Sequence, residues 1–194
     1  MKFIPFLFLL LFLNLCSNLG YGLAVNKQIG NLELATEKES KYLHDYRADG
    51  YIFFFGYSRC KTTCPMGLQT FHKLYENPKF PKGVIPFFIS IDLARDNWEN
   101  LNQLKKNYDE RIVFILPHSE EELRRLTKEF EVQFSKTNAL DSNYEINHTG
   151  NIFFVNSKFM LARIFTNNHR DTDQIVNEII NYFKGEENEN KQRL

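Results

Sequence analysis

The sequence predicts an α/β fold, a central mixed β-sheet with helices on both faces. Three observations carry that prediction. Residues 51–57 and 84–92 are apolar at nearly every position, the pattern of strands covered on both faces. Between and after them lie segments with apolar residues three and four apart, the period of amphipathic helices. The resulting order is strand, helix, strand, helix, strand, helix, then a hairpin and a last helix.

Each element has its own signals. Residues 25–40 are polar and mixed, an extended lead-in with a short strand around 32–34. The strand 51–57 closes at Gly56, and Pro65 stands at a natural first helical position. Met66, Leu68, Phe71, Leu74 and Tyr75 then form a helical stripe that ends near Asn77-Pro78. After the second strand, 84–92, comes a helix over 97–108, with Trp98, Leu101 and Leu104 on its apolar side. Residues 111–116 are a third strand. Ser119, with Glu122 three residues on, reads as a capping box that opens a helix to about Phe130. Residues 136–143 are polar and loop-like. Residues 151–155 and 160–165 are two strands joined by the turn Asn156-Ser157-Lys158. Ile175, Val176, Ile179, Ile180 and Phe183 face inward on a final helix over 171–184. Residues 185–194 are charged and predicted to fray.

The N-terminus carries a different signal. Met1-Lys2 precedes residues 3–15, almost all Phe, Leu and Ile, interrupted by Pro5 and Asn14. A basic start and a short apolar stretch read as a secretory signal, too short for a comfortable membrane span. Small residues at Gly22 and Ala24 suit cleavage after Ala24; an uncut membrane anchor, tethering the chain through residues 3–24, is the rival. Bulky Leu15 argues against lipid attachment at Cys16. Either reading expects an exported, disulfide-permissive compartment, the periplasm or the periplasmic face of the inner membrane. The expected organisation is a signal or anchor over 1–24, one domain over 25–184 and a charged flexible tail over 185–194.

Removing residues 1–24 leaves 170 residues, enough to bury a core without staples. With Lys2 gone, 23 basic side chains face 24 acidic ones. Such neutrality argues against nucleic acid as a partner, since binding it draws on a basic surface. Four of the 19 phenylalanines belong to the leader, and most of the others fall in strand-like runs and read as core.

The chemistry lies in F-F-F-G-Y-S-R-C-K-T-T-C-P, where a strand runs into a helix. Outside the leader, Cys60 and Cys64 are the only cysteines, so they form a redox or soft-metal pair rather than a disulfide framework. A helix start offers unsatisfied N–H groups and the positive end of the dipole, which lower a thiol pKa. Arg59 and Lys61 push the same way. Three intervening residues place the cysteines about one helical turn apart, so both sulfurs could face one external atom. Among the histidines, His72 lies too far down the first helix; His44 and His118 sit in polar surroundings, and His169 precedes the last helix. His148, in E-I-N-H-T-G-N-I-F-F, stands just ahead of a core strand, where a loop could pass over the thiols. A Cys-Cys-His set is soft and three-coordinate. It suits Cu(I), and Cu(II) with a fourth ligand, whereas structural zinc wants four protein ligands.

G-Y-S-R-C-K-T-T-C-P resembles the cysteine motif of the Sco/SenC family, the copper-handling proteins named for synthesis of cytochrome c oxidase. I-S-I-D-L-A-R-D, residues 89–96, looks like that family's strand-ending acidic segment, and N-H-T resembles its Asp-His-Ser/Thr element. The order and spacing agree from about Asn31 to Phe183. The resemblance implies a thioredoxin-like fold in which Cys60, Cys64 and His148 bind copper, Cu(I) or Cu(II). It also implies an exported domain whose partner is cytochrome c oxidase subunit II or another exported copper protein. There are departures. Lys61, Thr62 and Thr63 stand where the family commonly has a proline and an acidic residue, Asn147 replaces an acid, and Leu93 stands where a proline is common.

Two functions from different classes follow. One is a metallochaperone acting by ligand exchange. The other is a thiol–disulfide oxidoreductase with Cys60 and Cys64 as its redox pair, which would reduce exported cysteines, including those of the oxidase copper site. Asp92, Arg95 and Asp96 read as a local ion pair at a helix start, and Asn147-His148-Thr149 is formally a glycosylation sequon, disfavoured because a glycan would obstruct a packed site.

Overall fold

A computed structural model describes residues 21–137, 143–166 and 171–192 of the 194-residue chain. The leader with Cys16, and His169, lie outside the described residues. Six strands form the main sheet: β1 (Leu23–Gln28), β4 (Gly50–Gly56), β5 (Val84–Ser90), β6 (Val113–Ile115), β9 (Ile152–Asn156) and β10 (Met160–Phe165). Their order is β1-β10-β9-β4-β5-β6. β4, β5 and β6 run parallel, while β9, β10 and β1 add antiparallel neighbours on the other side. The helices are α1 (Thr63–Glu76), α2 (Trp98–Tyr108), α3 (Glu120–Glu129) and α4 (Thr172–Gln192). Two small ribbons complete the fold: β2 (Glu33–Ala35) with β3 (Ser40–Tyr42), and β7 (Phe134–Lys136) with β8 (Ile146–His148).

The period of two along a strand divides the aromatic residues between the faces of the sheet. Phe54 meets Phe71 of α1 and Phe88, and Phe154 meets Tyr182 and Phe183 of α4. Phe53, Phe55 and Phe153 all pack on Phe130, which caps α3, on the opposite face. All seven phenylalanines that lie in β4, β5 and β9 are fully buried, so both faces are covered, as the unbroken apolar runs predicted. Burial of each such side chain contributes on the order of 2–3 kcal/mol.

Several boundaries differ from the sequence reading, each for a local reason. α1 begins at Thr63, so Cys64 lies inside its first turn and Pro65 is the third helical residue. Pro is tolerated there because the first N–H groups of a helix lack intrahelical partners. Ser119 accepts from the Glu122 N–H, but the Glu122 carboxylate bonds the His118 N–H, so the predicted box is shifted by one residue. The hairpin β7–β8 brackets the polar stretch read as a loop, β7 ending at its first residue and β8 beginning after its last, and β1 and the β2–β3 ribbon occupy the lead-in and its flanks. The boundary expected after Ala24 falls within β1, where Leu23 and Ala24 pair with Ile164 and Arg163. The segment predicted to fray continues α4 to Gln192. Glu186 takes hydrogen bonds from Asn156 and Lys158 and ties this extension to the β9–β10 turn.

Candidate metal centre

Cys60 lies in the loop after β4, at the carboxyl end of the central strand, where α/β sheets place their ligand sites. Its N–H donates to the Tyr57 carbonyl at 3.3 Å. The base of this loop is pinned by the buried Asp96, whose carboxylate accepts the Ser58 N–H (3.1 Å), the Ser58 hydroxyl (2.5 Å) and the Ser90 hydroxyl (2.7 Å). Cys64 is buried in the first turn of α1 and accepts the Tyr57 N–H at its sulfur, 3.4 Å away. Gly56 makes room for it: a Cβ there would lie 2.6 Å from Cys64 Sγ.

His148 ends β8, and its Nε2 lies 3.7 Å from Cys64 Sγ. Its Nδ1 is 3.0 Å from the Thr149 carbonyl, which can only accept, so Nδ1 carries the proton and Nε2 presents a lone pair to the sulfurs. A backbone hydrogen bond of this kind fixes the tautomer of a ligating imidazole. The donor atoms of Cys60, Cys64 and His148 all lie within 4.8 Å of one another, and they are the one such Cys/His/Asp/Glu group among the described residues. Bringing His148 this close requires the chain at Gly150 to pass the start of α1, where a Cβ would come within 2.6 Å of the Thr63 methyl.

The two thiols are electrostatically unlike. Hydrogen bonding from Cys64 is the largest influence on Cys60 and lowers its pKa against the opposing effect of burial; the N–H groups of Cys64 and Thr62 lower it further. Cys60 is therefore a thiolate held well below the usual range. Burial foremost, then the neighbouring Cys60, pushes Cys64 well up, so it keeps its proton. The expected help from Arg59 and Lys61 is not among the leading causes, and both side chains are exposed. Cys60, Lys61, Glu145, Asn147 and His148 line an open cavity of about 450 Å³. A slightly larger one, about 510 Å³ near Pro81, Ile180 and Phe183, has no cysteine or histidine in its lining.

The other histidines lie elsewhere. His72 meets Asp109 (3.1 Å), His44 meets Asn31 (2.6 Å), and His118 meets Ser40 (3.4 Å). The Asp92–Arg95–Asp96 cluster is not a solvated ion pair. Asp92 and Asp96 are buried; Arg95 Nε donates to Asp92 at 2.5 Å and its Nη1 donates to the Tyr144 carbonyl at 2.7 Å. Tyr144 closes the circuit with its hydroxyl on Asp92 (2.5 Å), and its ring lies 3.5 Å under the guanidinium carbon. This cluster anchors the segment that leads to His148.

The family model described as SCO1/SenC matches residues 29–184. The chain belongs to the SCO1/SenC family. It is 28% identical over 138 residues to the mitochondrial SCO1 homolog 1 of Arabidopsis thaliana, covering 69% of this chain and 41% of that protein. A SCO2-like protein of Rickettsia prowazekii is 28% identical over 140 residues, covering 70% of this chain and 64% of the relative. The chain thus spans less than two thirds of the length of either. Among solved structures, apo Sco1 of Thermus thermophilus matches with a TM-score of 0.71 at 24% identity, over 83% of this chain and 95% of that one. Arabidopsis thaliana ScoI with copper bound matches with a TM-score of 0.68 at 24% identity, over 79% and 98%. These likenesses bear out the thioredoxin-like α/β fold. They place this SCO1/SenC member's mixed sheet in a known architecture.

Proposed function

We propose that this protein is a copper-binding metallochaperone of the exported compartment, delivering copper to the dinuclear copper site of cytochrome c oxidase subunit II. The convergence of Cys60, Cys64 and His148 donors within 4.8 Å carries this reading. The donor set fits copper: two soft sulfurs and one imidazole satisfy Cu(I), and a fourth ligand would suit Cu(II). Cys60 would bind as the thiolate it already is, Cys64 would release its proton, and His148 would offer the bare Nε2. Family membership supports the assembly role, as does a solved structure of like fold described as a member of the Sco family of cytochrome c oxidase assembly proteins, and two others described with copper bound support the metal. The apolar residues 3–15 behind a basic start support export, with or without a retained anchor. The test mixes copper-loaded protein with a reduced, copper-free soluble subunit II domain. Copper in the separated acceptor by metal analysis, with matching loss from the donor, is expected; retention of all copper by the donor overturns delivery.

A second reading is favoured by the unequal thiols. As a thiol–disulfide oxidoreductase, the Cys60 thiolate would attack a target disulfide, forming a mixed disulfide and releasing one target thiolate. Cys64, losing its proton, would then attack Cys60 Sγ and free the second target thiol, leaving a Cys60–Cys64 disulfide and a target reduced by two electrons. A Cys64→Ser variant that traps no mixed disulfide with an oxidised cysteine-pair target would rule this out.

A further inference from the structure

The strand that carries His148 is not part of the main sheet. β8 pairs only with β7, so the main sheet reaches His148 through side chains, and Phe54 of β4 meets its ring edge to face with centroids 6.2 Å apart. The hydrogen-bonded tie comes from Tyr57. Its hydroxyl donates to Glu145 Oε2 at 2.6 Å and accepts the Ile146 N–H at 3.1 Å. One oxygen thus holds two consecutive residues on the approach to His148. The backbone of the same tyrosine holds the thiols, its N–H on Cys64 Sγ and its carbonyl on the Cys60 N–H. Its ring, 1% exposed, meets the His148 imidazole edge to face with centroids 6.0 Å apart.

A phenylalanine would fill the same space, so packing does not require the hydroxyl. A buried hydroxyl must nonetheless be satisfied. Here both of its bonds go to the histidine-bearing segment, and Glu145, an exposed residue, bends back to accept one of them. The Arg95–Tyr144 clamp holds the residue just before Glu145, and the Tyr57 hydroxyl is the next link toward the metal site.

We infer that Tyr57 and Glu145 form a latch that sets the approach of His148 to the two sulfurs, which makes Tyr57 a positioning residue for copper capture. This rests on reading Cys60, Cys64 and His148 as the copper site. Groups behind a ligand that orient it typically change metal affinity by about 10–100-fold when removed.

The test is Cu(I) affinity, by competition with a chromophoric chelator, for wild type, Tyr57→Phe, Glu145→Ala, Glu145→Gln and the Tyr57→Phe/Glu145→Ala double variant. Tyr57→Phe is measured again in a His148→Ala background. The two single losses are each expected to weaken binding by about 10-fold or more, with the double variant no weaker than the worse single, because Tyr57→Phe already removes the bond that Glu145→Ala removes. Glu145→Gln, whose side-chain carbonyl still accepts, is expected to keep most of the affinity. In the His148→Ala background Tyr57→Phe is expected to change nothing, which a general loss of stability would not produce. Exposed Glu145 keeps the test open if Tyr57→Phe folds poorly. Wild-type affinity in both Tyr57→Phe and Glu145→Ala, or an equal Tyr57→Phe effect with and without His148, overturns the latch alone. Unchanged affinity in His148→Ala overturns the latch together with the metal-site reading.

Discussion

Replacing Gly56 with alanine would press a methyl carbon against the buried sulfur of Cys64. The new Cβ would lie 2.6 Å from Cys64 Sγ and 2.9 Å from Phe88 Cζ. Ordinary contact begins at 3.4 Å, so in a close-packed interior something must move by about 0.8 Å. Phe88 is fully buried between β4 and β6 and has no room to retreat. The sulfur therefore moves, or α1 does. Overpacking of this kind typically costs about 1–3 kcal/mol. Displacing one donor should in addition weaken copper binding by about 10–100-fold, the range for disturbed ligand support. Gly185→Ala is the control: nothing lies within 4 Å of its Cβ position in α4, and the change should stabilise by about 0.5–1 kcal/mol. Urea unfolding of the metal-free protein gives the first quantity and Cu(I) competition the second. A Gly56→Ala protein with wild-type stability and wild-type copper affinity would refute the close approach of Gly56 to the sulfur.

Three further outcomes follow from other parts of the molecule. Burial pushes the Asp109 carboxyl up, but hydrogen bonds from Arg111 and His72 override it and hold the pKa at about 2. This contribution to stability is present above the ordinary value of 3.8 and is lost as pH falls toward about 2. Asp109→Asn should therefore destabilise by about 1–3 kcal/mol at pH 7, with the gap to wild type narrowing in acid unfolding curves. Brief iodoacetamide treatment of the metal-free protein near pH 6 should label Cys60 before Cys64 by peptide mass spectrometry; labelling in the reverse order would contradict the thiolate assignment. Arg95→Met leaves the fully buried Asp92 carboxylate without its cation. A loss of about 3–5 kcal/mol in urea unfolding is expected, and a loss below ~1 kcal/mol would show the cluster to be dispensable.

What could be read from the residues depended on how locally each feature is encoded. β4 and β5 were legible within a residue or two because strands covered on both faces leave an unbroken apolar run. α2 was legible because Trp98, Leu101 and Leu104 mark one apolar side at helical spacing. The β7–β8 ribbon was not legible: strands of three residues, Phe-Ser-Lys and Ile-Asn-His, are too short to show a period. β1 escaped because it is a partly exposed edge strand with polar residues on both faces. The helical course of 185–192 depends on Glu186 meeting β9–β10 side chains, a long-range contact. The thiol pair was visible in its spacing, and His148 in its place before a core strand together with the family resemblance. Its supports were not visible: Tyr57 and Glu145 are 88 residues apart, and Tyr144 buries a charge cluster 52 residues away that reads locally as a solvated pair.

The central claim, that one imidazole and two sulfurs hold a single copper ion, is tested most directly by X-ray absorption of the anaerobic protein loaded with one equivalent of Cu(I). Two sulfur scatterers and one nitrogen are expected in wild type, with the nitrogen lost in His148→Ala. A wild-type spectrum that fits sulfur alone, or one that His148→Ala leaves unchanged, would contradict the site.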